Sequence, residues 1–105
     1  MNIRVQGFMA EPARTAVAAD GTAWLMVRVC MGTRSPHADA GLRMGTGHAA
    51  QHACAAAASR LPKGARVAVH AAGWRLARDL THLDLTDVSL IEPLDALAHL
   101  AAVAA

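Results

Sequence analysis

Asp20-Gly21-Thr22-Ala23-Trp24-Leu25-Met26-Val27-Arg28-Val29-Cys30-Met31 is the stretch that decides the fold. Asp-Gly is a tight-turn dipeptide, and an unbroken alternation follows it from Thr22 to Met31. Ala23, Leu25, Val27, Val29 and Met31 fall on one side; Thr22, Trp24, Met26, Arg28 and Cys30 fall on the other. Successive strand side chains point to opposite faces, so the first set is the core face. The second set puts an aromatic ring and a cation on the outside.

Upstream, Ile3, Val5 and Gly7 alternate with Arg4, Gln6 and Phe8, which reads as a strand with Gly7 at a bulge or bend. Glu11-Pro12 ends it, and Phe8 is assigned to packing. Downstream, residues 32–47 are rich in Gly, Ser, Thr and Pro and read as a loop with one short strand near Leu42–Met44. His48–Leu61 is nearly continuous Ala and predicts a helix closed by Pro62 and Gly64. Ala65–Ala72 alternates again with Val67 and Val69 inward, and residues 73–81 read as a turn region holding Trp74, Arg75 and Arg78. Leu83–Ile91 is the last strand. Beyond Pro93, Leu94, Leu97 and Ala101 recur at helical spacing and predict a short C-terminal helix over Leu94–Val103.

At 105 residues the chain makes one domain, with residues 1–92 as its body and 93–105 as an Ala-rich helical tail. An apolar fraction of 54% supports a packed core, and 26 alanines make that core narrow. No apolar run reaches the length of about 18 residues that a membrane span needs. Met1–Phe8 has no signal-peptide core, and Cys30 and Cys54 form no CxxC, so both are expected to be reduced core thiols of a cytoplasmic protein. The net charge is only +2, yet nine of the ten bases are Arg, the residue suited to forked phosphate contacts.

Strand, strand, short strand, helix, strand, strand is the order of a mainly β, five-stranded OB barrel with one helix between strands 3 and 4. Four stretches carry a closer likeness. Asn2-Ile-Arg-Val-Gln-Gly-Phe-Met-Ala-Glu-Pro12 and Asp20-Gly-Thr-Ala-Trp-Leu-Met-Val-Arg-Val29 resemble the first two strands of bacterial single-stranded DNA-binding proteins. Leu61-Pro-Lys-Gly-Ala-Arg-Val-Ala-Val-His-Ala71 and Leu83-Asp-Leu-Thr-Asp-Val-Ser-Leu-Ile91 resemble that family's fourth and closing strands. The chain looks like a divergent short member, similar also to the small primosomal replication protein. Two departures stand against the likeness. The family's third strand is long and carries stacking aromatics, whereas residues 33–47 hold none. Its acidic Pro-Phe tip is missing, which removes the family's handle for repair and replication partners.

Non-specific binding of single-stranded DNA needs exposed rings for the bases and cations for the phosphates. Trp24 and Trp74 are the candidate stacking residues. Arg28, Arg34, Arg43, Lys63, Arg66, Arg75 and Arg78 are the candidate phosphate contacts, and Arg14 lies on the same track. His48 and His52 stand four apart on the helix, but Cys54 falls about 200° round from His52. No fourth ligand is evident, so neither a metal nor another cofactor is expected. Ser35 and Ser59 lack base and acid partners, Asp84 and Asp87 fall on opposite phases, and Gly45-Thr46-Gly47 is too short for a P-loop. A non-enzymatic accessory of DNA replication, repair or recombination is therefore expected. An Ala-rich domain of this size buries little large apolar area alone, which points to a homodimer or homotetramer. No membrane and no small-molecule substrate is implied. The competing reading is a protein–protein scaffold that keeps the fold without nucleic-acid affinity; a metal-dependent enzyme built on His48 and His52 is a third.

Overall fold

The computed structural model describes residues 2–32, 36–76 and 82–94. They form β1 (Ile3–Met9), β2 (Arg14–Val17), β3 (Thr22–Cys30), β4 (His37–Thr46), α1 (His48–Ser59), β5 (Arg66–Leu76) and β6 (His82–Pro93). The expected alternation of β3 is present from Ala23 to Cys30, whereas Thr22, expected on the outer face, is buried. Ala23, Leu25, Val27 and Val29 are buried, while Trp24, Met26, Arg28 and Cys30 are half-buried on the outer side. The turn before β3 is built as its sequence dictates. Gly21 takes a φ of 85°, and the Asp20 carboxylate accepts the Thr22 N–H at 3.0 Å. That hydrogen bond is the main reason Asp20 is held below the usual carboxylate range.

Six strands are present where five were expected, so the helix lies between the fourth and fifth strands rather than the third and fourth. The extra one is β2, whose four residues are all exposed. An edge strand with no buried face leaves no hydrophobic period to read. A second correction concerns β4, which spans ten residues instead of three. Ala38 and Ala40 fill its inner face where a larger residue would signal a strand. β5 also continues through Leu76, beyond the turn expected at residue 73, because Gly73, Trp74, Arg75 and Leu76 pair with Thr86, Leu85, Asp84 and Leu83 in a hairpin arm.

The pairings close a circuit. β1 pairs with β5 along Ile3↔Ala71 to Phe8↔Arg66, and with β3 at Phe8↔Cys30 and Met9↔Val29. β3 pairs with β4, β5 with β6, and β4 joins β6 in parallel from His37↔His82 to Asp39↔Asp84. Val5, Met9, Leu25, Val29, Val67, Val69 and Ile91 are buried in the core cluster that the circuit encloses. α1 covers one side of it with Cys54, the helix's buried residue. The β3 register shifts between Ala23 and Trp24, and the Cys54 thiol donates to the Trp24 carbonyl there at 3.1 Å. Both cysteines are free, and burial pushes the Cys54 thiol up. Cys30 departs from the expected core position and is half-buried on the outer face.

β1 can serve two partners because of Gly7. A Cβ there would fall on the Cys30 carbonyl oxygen and 2.9 Å from Val29 Cγ1. Only a residue without a side chain lets the strand cross so closely. No helix among the described residues is long and apolar enough to cross a membrane. Leu94 donates its N–H to the Arg66 carbonyl at 2.8 Å; the rest of the helix expected over Leu94–Val103 lies outside the described residues.

Two substitutions should move stability in opposite directions in urea unfolding. Gly7→Ala is expected to cost about 1–3 kcal/mol, since the obstructing atom is backbone and cannot rotate away. Thr22→Val is expected to gain up to about 1 kcal/mol, because the buried Thr22 hydroxyl has no hydrogen-bond partner of good geometry among the described residues. The cysteines should differ just as clearly: Cys30 reacts with a thiol reagent in the native protein, and Cys54 reacts only on unfolding.

Candidate nucleic-acid interface

The outer face of β3 runs Trp24, Met26, Arg28, Cys30. Cross-strand partners share a face, so the register assigns each of these its neighbours. Trp24 stands between Ala16 of β2 and Arg43 of β4, and Met26 between Arg14 and Gly41. An open, mainly apolar groove of about 480 Å³ follows, with Trp24, Val17 and Gly41 among its walls. Gly41 contributes no side chain, so the half-buried Trp24 ring and the Met26 thioether lie over it, beside the exposed Arg43. A flat ring next to an exposed cation suits a nucleobase and its phosphate.

The middle of the face has a different character. Arg28 Nε lies 2.8 Å from Asp39 Oδ1, and Arg75 Nε lies 3.5 Å from Asp84 Oδ2. Asp39 and Asp84 are register partners across the β4–β6 seam. Four strands therefore carry one row, Arg28–Asp39–Asp84–Arg75, with two cations and two anions. His82 Nε2 adds a contact at 4.0 Å from Asp39 Oδ2, and its ring lies 5.8 Å from that of His37. The hydrogen bond that Arg28 donates to Asp39 holds its guanidinium above its ordinary value. Adjacent like charges are unfavourable in a sheet, and the flanking arginines offset them. Arg28 and Arg75 are thus each engaged by a carboxylate of the neighbouring strand.

The remaining predicted residues are dispersed. Arg66 is exposed at the start of β5, opposite Phe8. Lys63 is exposed in the turn between α1 and β5. Trp74 is 54% exposed on the hairpin arm, where alternation puts it on the face opposite Arg75. Arg34 and Arg78 lie outside the described residues. Arg14 pairs with Glu11 at 3.5 Å. Arg43, Lys63 and Arg66 have no carboxylate partner among the described residues.

Phe8 corrects the sequence reading, since it is 52% exposed rather than packed. The signal was present, because the alternation that turns Val5 and Met9 inward turns Phe8 outward. On α1, His48 and His52 are exposed while Cys54 is buried. The described residues contain no His, Cys, Asp or Glu group that could hold a metal ion. Ser59 Oγ donates to the Ala56 carbonyl at 2.7 Å, a local helix-end contact. Neither a protein-family model nor a curated protein matches the chain by sequence.

The charged row makes a prediction that separates pairing from net stability. Arg28 and Asp39 are each about one-third exposed, so the double variant Arg28→Ala/Asp39→Ala should lie within about 1 kcal/mol of wild type in urea unfolding. Arg28→Ala alone should cost more than the double variant, because it leaves Asp39 facing Asp84 without its cation.

Proposed function

We propose that the chain is an OB-fold module that binds single-stranded DNA without sequence preference along the outer face of β3. The observation that carries this reading is the half-buried Trp24 ring on the wall of an open groove, with the exposed Arg43 as its cross-strand neighbour. Further support comes from the closed circuit β1–β3–β4–β6–β5. Its strand pairing and a helix that enters before β5 support the OB-barrel reading when β2 is counted with the β2–β3 hairpin. The partners are single-stranded DNA and further copies of the chain, as a homodimer or homotetramer, in replication, repair or recombination.

The binding step needs no catalysis. A base leaves its neighbour and stacks on Trp24, which is favourable for any base because every base has a π-face. Phosphates then meet Arg43, Arg66 and Lys63, three exposed cations that form no salt bridge among the described residues. Three released counterions on a single strand give a salt slope of about −2. Affinity is modest as a result, since β4 adds length but no aromatic residue. The neutralised Arg28–Asp39–Asp84–Arg75 row favours a second reading, a protein–protein scaffold of the same fold.

Titration with oligo-dT at low ionic strength, followed by Trp emission, decides between them. Salt-sensitive quenching is expected, and Trp24→Ala should weaken binding by about 1–3 kcal/mol while leaving the salt slope nearly intact. Wild-type protein that shows no quenching would refute DNA binding and leave the scaffold in its place.

A further inference from the structure

We propose that Phe8 and Arg66 form a second nucleotide station at the far end of the β3 face, distinct from Trp24. The proposal rests on the single-stranded DNA reading and specifies where the strand runs. Phe8 is the chain's only Phe, and it is 52% exposed. Aromatic side chains normally gain most by burial, so a ring left in solvent on a rigid strand is available for stacking. Arg66 is its direct partner across the β1–β5 ladder, exposed and without a carboxylate partner among the described residues. A groove of about 420 Å³ opens between them, within the size range of pockets that take small ligands.

The remaining walls suit a base rather than a lipid or a peptide strand. Gly32 contributes backbone alone, so a flat ring can approach closely there. Gln6 stands at the edge with its amide oxygen accepting from Arg4 at 2.7 Å. That bond orients the amide nitrogen as a donor, which any base carbonyl or ring nitrogen can accept. Phe8 is also the register partner of Cys30, which puts it on the same face as Trp24. Six residues of strand separate Cys30 from Trp24, a span of about 20 Å. The two rings therefore stand as end stations of one strand, and the charged row around Arg28 lies between them.

Cys30 lines the groove and reports its occupancy. Iodoacetamide modification of Cys30 is followed with and without a saturating oligo-dT of about 15 nucleotides, with Trp quenching read from the same sample. Protection of several-fold is expected, tracking the quenching curve. Phe8→Leu keeps an apolar side chain but no π-face, and should bind about 5- to 150-fold more weakly, the equivalent of one stacked base. Phe8→Tyr should bind like wild type, and Arg66→Ala should lower the salt slope by about 0.7. Trp quenching without Cys30 protection, together with wild-type affinity for Phe8→Leu, overturns the second station and leaves the Trp24 reading intact. Absence of both quenching and protection overturns the two together.

Discussion

The crossing of β1 over β3 at Gly7 is the contact on which the rest of the structure depends. One short strand there leaves its β5 ladder and joins β3 through Phe8↔Cys30 and Met9↔Val29. The space for that switch is set by an absent Cβ, since one at position 7 would meet the Cys30 carbonyl. Without the crossing the six strands are an open sheet with two edges, and the valine-rich inner faces of β3 and β5 have no common interior. With it, Val29, Val67 and Val69 become fully buried. The narrowness imposed by so many alanines is what the close approach requires.

The same crossing creates the outer face. Because β1 meets β3 at Cys30, the exposed Phe8 is carried onto the side that also holds Trp24. The opposite closure, the β4–β6 seam, is only three register pairs long; Ala38 meets Leu83 across it on the inner side, and on the outer side Asp39 faces Asp84, each carboxylate held by an arginine of the strand behind it. Arg28 and Arg75 are engaged by carboxylates of neighbouring strands, so the proposed binding rests on the rings at the two ends and on Arg43, Lys63 and Arg66. On that reading the surface works by stacking with light electrostatic support, which suits sequence-tolerant and modest affinity.

Legibility from sequence followed the size of the inward side chains. β3 was readable because Leu25, Val27 and Val29 announce their face, and α1 because alanine runs are strong helix formers. β4 was underestimated for the converse reason: its inner residues are Ala38 and Ala40, which look like loop composition among Gly, His and Asp. β2 has no inner face, so nothing in Arg-Thr-Ala-Val distinguishes it from a connection. At the site, Trp24 was placed correctly outward by alternation. Phe8 was assigned inward by hydrophobicity although its own alternation pointed out, and period is the stronger signal on a strand. The engagement of Arg28 by Asp39 depends on a cross-strand register eleven residues apart, which composition does not show.

Amide NMR mapping of the protein against a saturating oligo-dT tests the central claim most directly, since it reads every strand at once. Shift changes are expected along the outer face of β3 and its neighbours, at Trp24, Arg43, Cys30, Phe8 and Arg66. The exposed side of α1 around His48 and His52 should stay unchanged. Changes confined to α1, or a spectrum unmoved by DNA at low ionic strength, would contradict the assignment of the β3 face as a single-stranded DNA interface.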